Sequence, residues 1–255
     1  MKLYVFNKWK IIRYICALAV FGFIFALAGR VATNIIATVA NTSKKLPIYS
    51  IETTNNDIAL TFDCAWGAED MPSILDTLKE NNVKATFFVL GEWAEKFPDI
   101  IKRMAEEGHD VANHSDTHPH IASLTYENIK KEIKNANDKI EKLTGKTNNL
   151  FRAPYGEYND NVISAAEELG FYTIQWDVDS LDWKNLGSEN ILNRVSSRTK
   201  NGSIILMHNG TEDTANVLDK VIKELKKKGF NFKPVSEFIY KDNYVINHEG
   251  RQIKN

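Results

Sequence analysis

From residue 58 onward, short apolar runs alternate with stretches whose apolar residues recur every three or four positions. The short runs, at 58–62, 83–90, 109–114, 150–151, 171–176, 203–207 and 230–235, read as strands. The longer stretches read as helices buried along one stripe. Ile74, Leu75 and Leu78 mark one, with Pro72 in its first turn, and Ile100, Ile101, Met104 and Ala105 mark another that Gly108 closes. Tyr126, Ile129, Ile133, Ala136, Ile140 and Leu143 give a long third helix. Similar stripes begin at Val162, at Ile191 behind a capping Ser188, and at Val217. Regular alternation of this kind implies parallel strands joined by helical crossovers. Six or seven such units within one domain predict an α/β fold, an irregular seven-stranded (β/α) barrel.

Residues 1–40 break the pattern. They hold no acid, and Lys2, Lys8, Lys10, Arg13 and Arg30 flank an apolar run from Tyr14 to Gly29. The run predicts an N-terminal apolar helix that is either a signal peptide, with Ala26-Leu27-Ala28 as its cleavage site, or a membrane anchor. Positive charge ahead of it sends the remainder outward, so the expected protein is exported, membrane-anchored on the extracytoplasmic side or secreted after cleavage. Residues 41–56 read as a linker and edge segment, 57–240 as the folded domain, and 241–255 as a polar surface tail. Without the five N-terminal bases, the chain's 32 Lys and Arg fall to 27 against 33 acids, a net charge of −6. That balance excludes nucleic acid as a partner. Cys16 lies in the apolar run and Cys64 is the only other cysteine, so the exported part has no internal disulfide and depends on its core. It is expected to be a monomer.

The unusual polar residues fall at the C-terminal ends of the expected strands. Asp63 ends the first and His114 the third, Arg152 follows the fourth, Asp179 and Asp182 follow the fifth, and His208 ends the sixth. In a β/α barrel those ends share the face that carries active sites. A carboxylate at the mouth of a core strand needs a cation, metal or substrate beside it, although Asp63 alone could equally cap the next helix. His114 and His118 are spaced to bind one metal if their turn is helical, with Asp116 as a further ligand or an imidazole-orienting group. Arg152 is placed to grip Asp63 bidentately and keep it ionised. His208 is open to two roles, a general acid if Asp182 holds one nitrogen or a third metal ligand. Trp183 and Leu206 are candidates for a small apolar pocket. His109 reads as structural and His120 as loop surface.

In order along the chain, Thr61-Phe62-Asp63, His114-Ser-x-x-His118, Arg152-x-Pro154-Tyr155, Asp179-x-x-Asp182-Trp183 and Leu206-x-His208 resemble the five motifs of the polysaccharide deacetylases. This is the NodB-homology or carbohydrate esterase family 4 group, and the likeness covers roughly residues 56–240. With Asp63-x-x-Trp66-Gly67 and the apolar N-terminus, the chain looks most like the sporulation-associated branch. The resemblance implies metal-dependent removal of N-acetyl groups from a cell-wall glycan, peptidoglycan or chitin-like, with zinc as the usual metal. It implies that His114 and His118 hold the metal, that Asp63 is the base and that Arg152 orients it. It further implies that the Tyr155 backbone N–H stabilises the oxyanion and that His208, tuned by Asp182, protonates the departing amine. Trp183 and Leu206 would shape the acetyl pocket, and Trp66 would join them in binding substrate. One position departs from the family, whose base is usually followed by an aspartate that is the third metal ligand; here Cys64 stands there. A Cys64 thiolate could complete a His2Cys site. A non-ligating Cys64 would suit a weakly active or inactive glycan-binding barrel, and an esterase removing O-acetyl groups would use the same machinery.

Overall fold

The computed structural model describes residues 44–146 and 148–255, together with 8–9, 12–13, 18–19 and 21–26. Its strands are β1 (Ser50–Ile51), β2 (Asp57–Cys64), β3 (Thr86–Val89), β4 (Asp110–Asn113), β5 (Leu150–Phe151), β6 (Tyr172–Thr173), β7 (Val178–Asp179), β8 (Ile204–His208), β9 (Asn231–Phe232), β10 (Tyr244–Ile246) and β11 (Arg251–Lys254). The helices of the folded unit are α1 (Met71–Glu80), α2 (Gly91–Lys96), α3 (Pro98–Glu106), α4 (Tyr126–Thr144), α5 (Asp160–Glu168), α6 (Ser188–Arg198), α7 (Thr214–Lys227) and α8 (Val235–Phe238).

Seven strands stand in the order β6-β5-β4-β3-β2-β8-β7, every ladder parallel, and β9 adds to the base of β2. The expected seven-stranded barrel is therefore present, with an irregular closure. No helix separates β6 from β7, so residues 172–179 form one extended passage that pairs first with β5 and then with β8. The sheet curls round to begin and end on the same stretch of chain.

Alternation along the strands sorts side chains between two cores. On β2, Ile58, Leu60, Phe62 and Cys64 join the helix-side cluster that includes Met71 and Ile74 of α1 and Leu218 and Ile222 of α7. Ala59 faces the barrel interior with Phe88 and Ile204. Thr61 and Asp63 share that inward parity, as do Leu206 and His208 on β8. Each fully buried aliphatic side chain contributes about 1.5–3 kcal/mol, which makes these two clusters the main support of the strand ends.

The C-terminal stretch departs from the polar-tail expectation. β10 pairs antiparallel with β11, which in turn runs parallel to β1. Gln252 is fully buried there, accepting the Tyr240 N–H at 2.8 Å and donating to the Tyr240 carbonyl at 2.7 Å. Backbone pairing and one satisfied amide hold this small sheet, so it needs little of the apolar periodicity that betrays a strand in sequence. Of the predicted N-terminal helix, the described residues are helical and exposed, and half of the apolar run lies outside them. Among the described residues no helix is long and apolar enough to cross a membrane.

Candidate active site

The C-terminal ends of β2, β4, β5, β7 and β8 surround a cavity of about 430 Å³. Asp63, Trp66, His114, His118, Tyr155, Asp179, Trp183, Leu206 and His208 all line it, so nine of the residues singled out in the sequence meet at one place.

Arg152 is fully buried beneath this floor. Its Nη1 donates to Oδ1 of Asp63 at 2.7 Å and to Thr61 Oγ1 at 2.9 Å, while Nη2 donates to the Gln175 carbonyl at 3.1 Å. The guanidinium also lies 4.0 Å from the centre of the Phe88 ring. The expected bidentate grip does not form, because the passage between β6 and β7 draws the second nitrogen to Gln175. Oδ2 of Asp63 is thereby left clear of Arg152, 3.7 Å from Nε2 of His114. Burial works to raise the Asp63 pKa, but the neighbouring positive charge, that of Arg152 foremost, outweighs it and holds the carboxyl below its usual range.

Nδ1 of His114 lies 2.9 Å from the Arg152 carbonyl. A carbonyl only accepts, so Nδ1 carries the hydrogen and Nε2 presents a lone pair. Burial keeps this ring neutral, lowering its pKa despite the pull of Asp63. The His118 ring stands 5.2 Å from it, centre to centre, and burial with the nearby His114 pushes the His118 pKa down to about 4. Its Nδ1 is buried without a hydrogen-bond partner. The intervening loop is tied to α4, where Glu132 accepts the N–H groups of Asp116 and Thr117, both at 3.0 Å. Asp116 pairs with Lys139 at 2.9 Å and so is committed to a cation rather than to either imidazole.

Two neutral imidazoles, one with a bare lone pair and one with an orphaned buried nitrogen, fit the donor set of a divalent metal. Cys64 does not extend that set. Its neighbour Asp63 points inward, so strand alternation turns position 64 to the helix side, where the thiol is fully buried among apolar residues and does not line the cavity. Burial, followed by the charges of Asp63 and Asp70, raises its pKa well above the usual thiol range. Among the described residues, no three His, Cys, Asp or Glu side chains are grouped to hold an ion. A thiolate ligand therefore corrects to an inert core side chain, and Cys64→Ser is expected to leave metal content unchanged. Iodoacetamide should label Cys64 only after unfolding, and mass spectrometry of labelled protein would show the reverse if the thiol were poised at the site.

His208 faces the cavity from β8. Its Nδ1 lies 2.8 Å from Oδ1 of Asp182, whose Oδ2 accepts the His208 backbone N–H and the Thr214 hydroxyl, each at 2.7 Å. The Trp183 N–H donates to Oδ1 at 2.9 Å, which leaves the buried Asp182 carboxylate fully satisfied. Burial alone would lower the His208 pKa, yet the hydrogen bond and charge of Asp182 outweigh it and raise the value above 6.5. The shift favours the protonated ring, in which Nδ1–H is held by Asp182 and Nε2–H is left to give.

At the rim, Trp66, Tyr155 and Trp183 are 64 %, 55 % and 53 % exposed, too open for core packing residues of their size. Trp66 and Tyr155 both meet the His118 ring edge-on, at 5.0 and 4.4 Å. Ser115, His118, Tyr155 and Leu181 have φ between 57° and 74°, and all lie in the loops that follow these strands. Non-glycine residues held in that region cost about 1–3 kcal/mol each, and such strain concentrates at functional sites. Sequence reasoning gave no role to the Gln175 carbonyl or the Thr214 hydroxyl, which no motif marks. Thr61 could have been found, since it sits two positions before Asp63 and so shares its face.

Fold and site together define a β/α barrel with an acid–base centre beside a histidine pair fit for a metal. A family model described as polysaccharide deacetylase matches residues 50–174. The chain is 42 % identical over 180 residues to a peptidoglycan-N-acetylglucosamine deacetylase of Bacillus cereus, covering 69 % of this chain and 66 % of that one, about two thirds of the relative's length. It is 35 % identical over 196 residues to the peptidoglycan-N-acetylmuramic acid deacetylase PdaA of Bacillus subtilis, covering 75 % and 74 %. Among solved structures, a carbohydrate esterase family 4 pseudoenzyme from Bacillus anthracis matches with a TM-score of 0.73 at 32 % identity, covering 82 % of this chain and 73 % of that one. The chain belongs to the polysaccharide deacetylase family.

Proposed function

We propose that this protein hydrolyses N-acetyl groups of cell-wall polysaccharide with a divalent metal, zinc, at His114 and His118. One observation carries the reading: a carboxylate gripped by Arg152 with one oxygen clear, and an imidazole held by Asp182, line the same cavity as His114 and His118. The metal, when bound, supplies Lewis-acid polarisation of the acetyl carbonyl and lowers the pKa of water. Asp63 takes the proton of the attacking water through Oδ2, while Arg152 occupies Oδ1 and fixes the charge. The Tyr155 backbone N–H donates to the oxyanion that develops. An amine leaves poorly unless protonated, and His208 delivers that proton from Nε2 while Asp182 holds Nδ1. Trp183 and Leu206 enclose the acetyl methyl, and Trp66 and Tyr155 offer ring faces to the sugar chain. The acid-free basic N-terminus supports export, with the domain anchored at the membrane or released from it.

The rate needs Asp63 ionised and His208 protonated. It should fall as pH rises through the elevated His208 pKa. Asp182→Asn removes the charge that elevates it, so the alkaline limb of kcat/KM should move to lower pH. A loss of rate with the limb unmoved would contradict the acid's assignment.

The match to a pseudoenzyme and the helix-side placement of Cys64 favour one second reading, a glycan-binding barrel that keeps metal weakly. Acetate release separates the two.

A further inference from the structure

The two named relatives differ in the sugar they act on, glucosamine in one and muramic acid in the other. Muramic acid replaces a ring hydroxyl with a lactyl ether and carries a carboxylate there. This difference bears on Asp179, a cavity residue that the chemistry above leaves unused. Asp179 ends β7, and its Oδ1 accepts the Leu181 N–H at 2.8 Å, a local bond that sets the direction of the side chain. Among the described residues, its Oδ2 takes part in no hydrogen bond or ion pair. The charge of Asp179 reaches His208 across the cavity and helps raise its pKa, while the neighbouring cations are engaged elsewhere. Arg194 donates through Nε to the Asp179 backbone carbonyl at 2.6 Å, and Lys184 sits 4.9 Å over the Trp183 ring at the rim. Among the described residues, no lysine or arginine lines the cavity.

We propose that Asp179 selects a neutral N-acetylated hexosamine, its unpaired oxygen accepting a hydrogen bond from a ring hydroxyl of the reacting sugar and repelling a carboxylate on the same edge. The inference rests on the deacetylase reading of this site. A glucosamine residue brings hydroxyl donors to a fixed, charged acceptor, which is the stronger kind of hydrogen bond. A muramic residue brings an ether oxygen and, where its lactyl carboxyl is free of peptide, a second negative charge, so acceptor meets acceptor and like charge meets like.

The test uses the full chain with two substrates, the N-acetylglucosamine tetramer and peptidoglycan glycan strands. Mass spectrometry locates each lost acetyl group, and calorimetry reads binding of the tetramer without turnover. The wild type should deacetylate glucosamine residues in both substrates and leave muramic residues intact. Asp179→Ala should raise KM for the tetramer about 10- to 100-fold, the loss expected for a charged hydrogen bond, with kcat within about twofold. Asp179→Asn keeps an acceptor and removes the charge, so it should bind the tetramer better than Asp179→Ala and admit muramic residues. Deacetylation of muramic residues by the wild type overturns the proposal, and so does an Asp179→Ala variant with unchanged KM and sugar preference. If no acetate is released at all, the deacetylase reading fails by itself. Tetramer binding then decides this one: lost in a folded Asp179→Ala, it stands; unchanged, it falls.

Discussion

Asparagine in place of Asp63 is expected to lower kcat by about 100- to 10,000-fold, the range that a positioned general base supplies. The substitution keeps the shape and one acceptor for Arg152, but the amide cannot take a proton from water. Because it also leaves the buried guanidinium without its counter-charge, the rate should be read well below the variant's melting transition, on protein whose near-ultraviolet circular dichroism is native. Metal content should survive, since the two imidazoles are untouched. A variant that keeps more than a tenth of the wild-type kcat would remove Asp63 from the role of base.

Arg152→Ala should produce the largest loss of stability from any single change at the site. The guanidinium is fully buried, makes hydrogen bonds to Asp63, Thr61 and Gln175, and lies over Phe88. Removing one partner of a buried ion pair costs about 3–5 kcal/mol, because the remaining charge stays out of water. The pH dependence of that cost has a definite sign. In the wild type the lowered pKa of Asp63 contributes stability above the ordinary carboxylate pKa, and this is lost as pH falls through the folded value. Without Arg152, burial acts with less opposition and disfavours the ionised carboxylate. Urea unfolding of metal-free protein should therefore show a large gap between wild type and variant at pH 7 that narrows towards pH 4. A gap independent of pH would mean that Arg152 acts by packing alone. Arg152→Lys should recover little, since a single ammonium cannot reach three acceptors in a plane.

Much of the site was legible because parallel β/α folds bring strand C-termini to one face, so a polar residue closing an apolar run is already placed in three dimensions. Asp63, His114 and His208 were found this way, and the cavity unites them. The barrel closure was hidden for a physical reason. The apolar run at 171–176 reports which face is buried, but it carries no record of which neighbour the backbone pairs with. Its change of partner, which steers Arg152 to Gln175 and frees Oδ2 of Asp63, is invisible in periodicity. The small sheet of β1, β10 and β11 was missed because backbone bonds and Gln252 hold it in place of an apolar stripe. Cys64 is a different case, since the information was present: adjacent strand residues face opposite ways, so an inward Asp63 turns position 64 towards the helices. His114 and His118 were expected to share a metal if their turn were helical; the chain instead reaches His118 through left-handed backbone at Ser115 and His118, a geometry that sequence spacing cannot distinguish.

The central claim is that residues from five strand ends form one hydrolytic centre for N-acetylated glycan. Acetate released from N-acetylglucosamine oligomers, followed with zinc supplied and again after a chelator, tests it most directly. The account predicts steady acetate release that stops on chelation, returns with zinc and is absent in Asp63→Asn. Glycan binding with no acetate at any zinc concentration would contradict it and leave the barrel a binder.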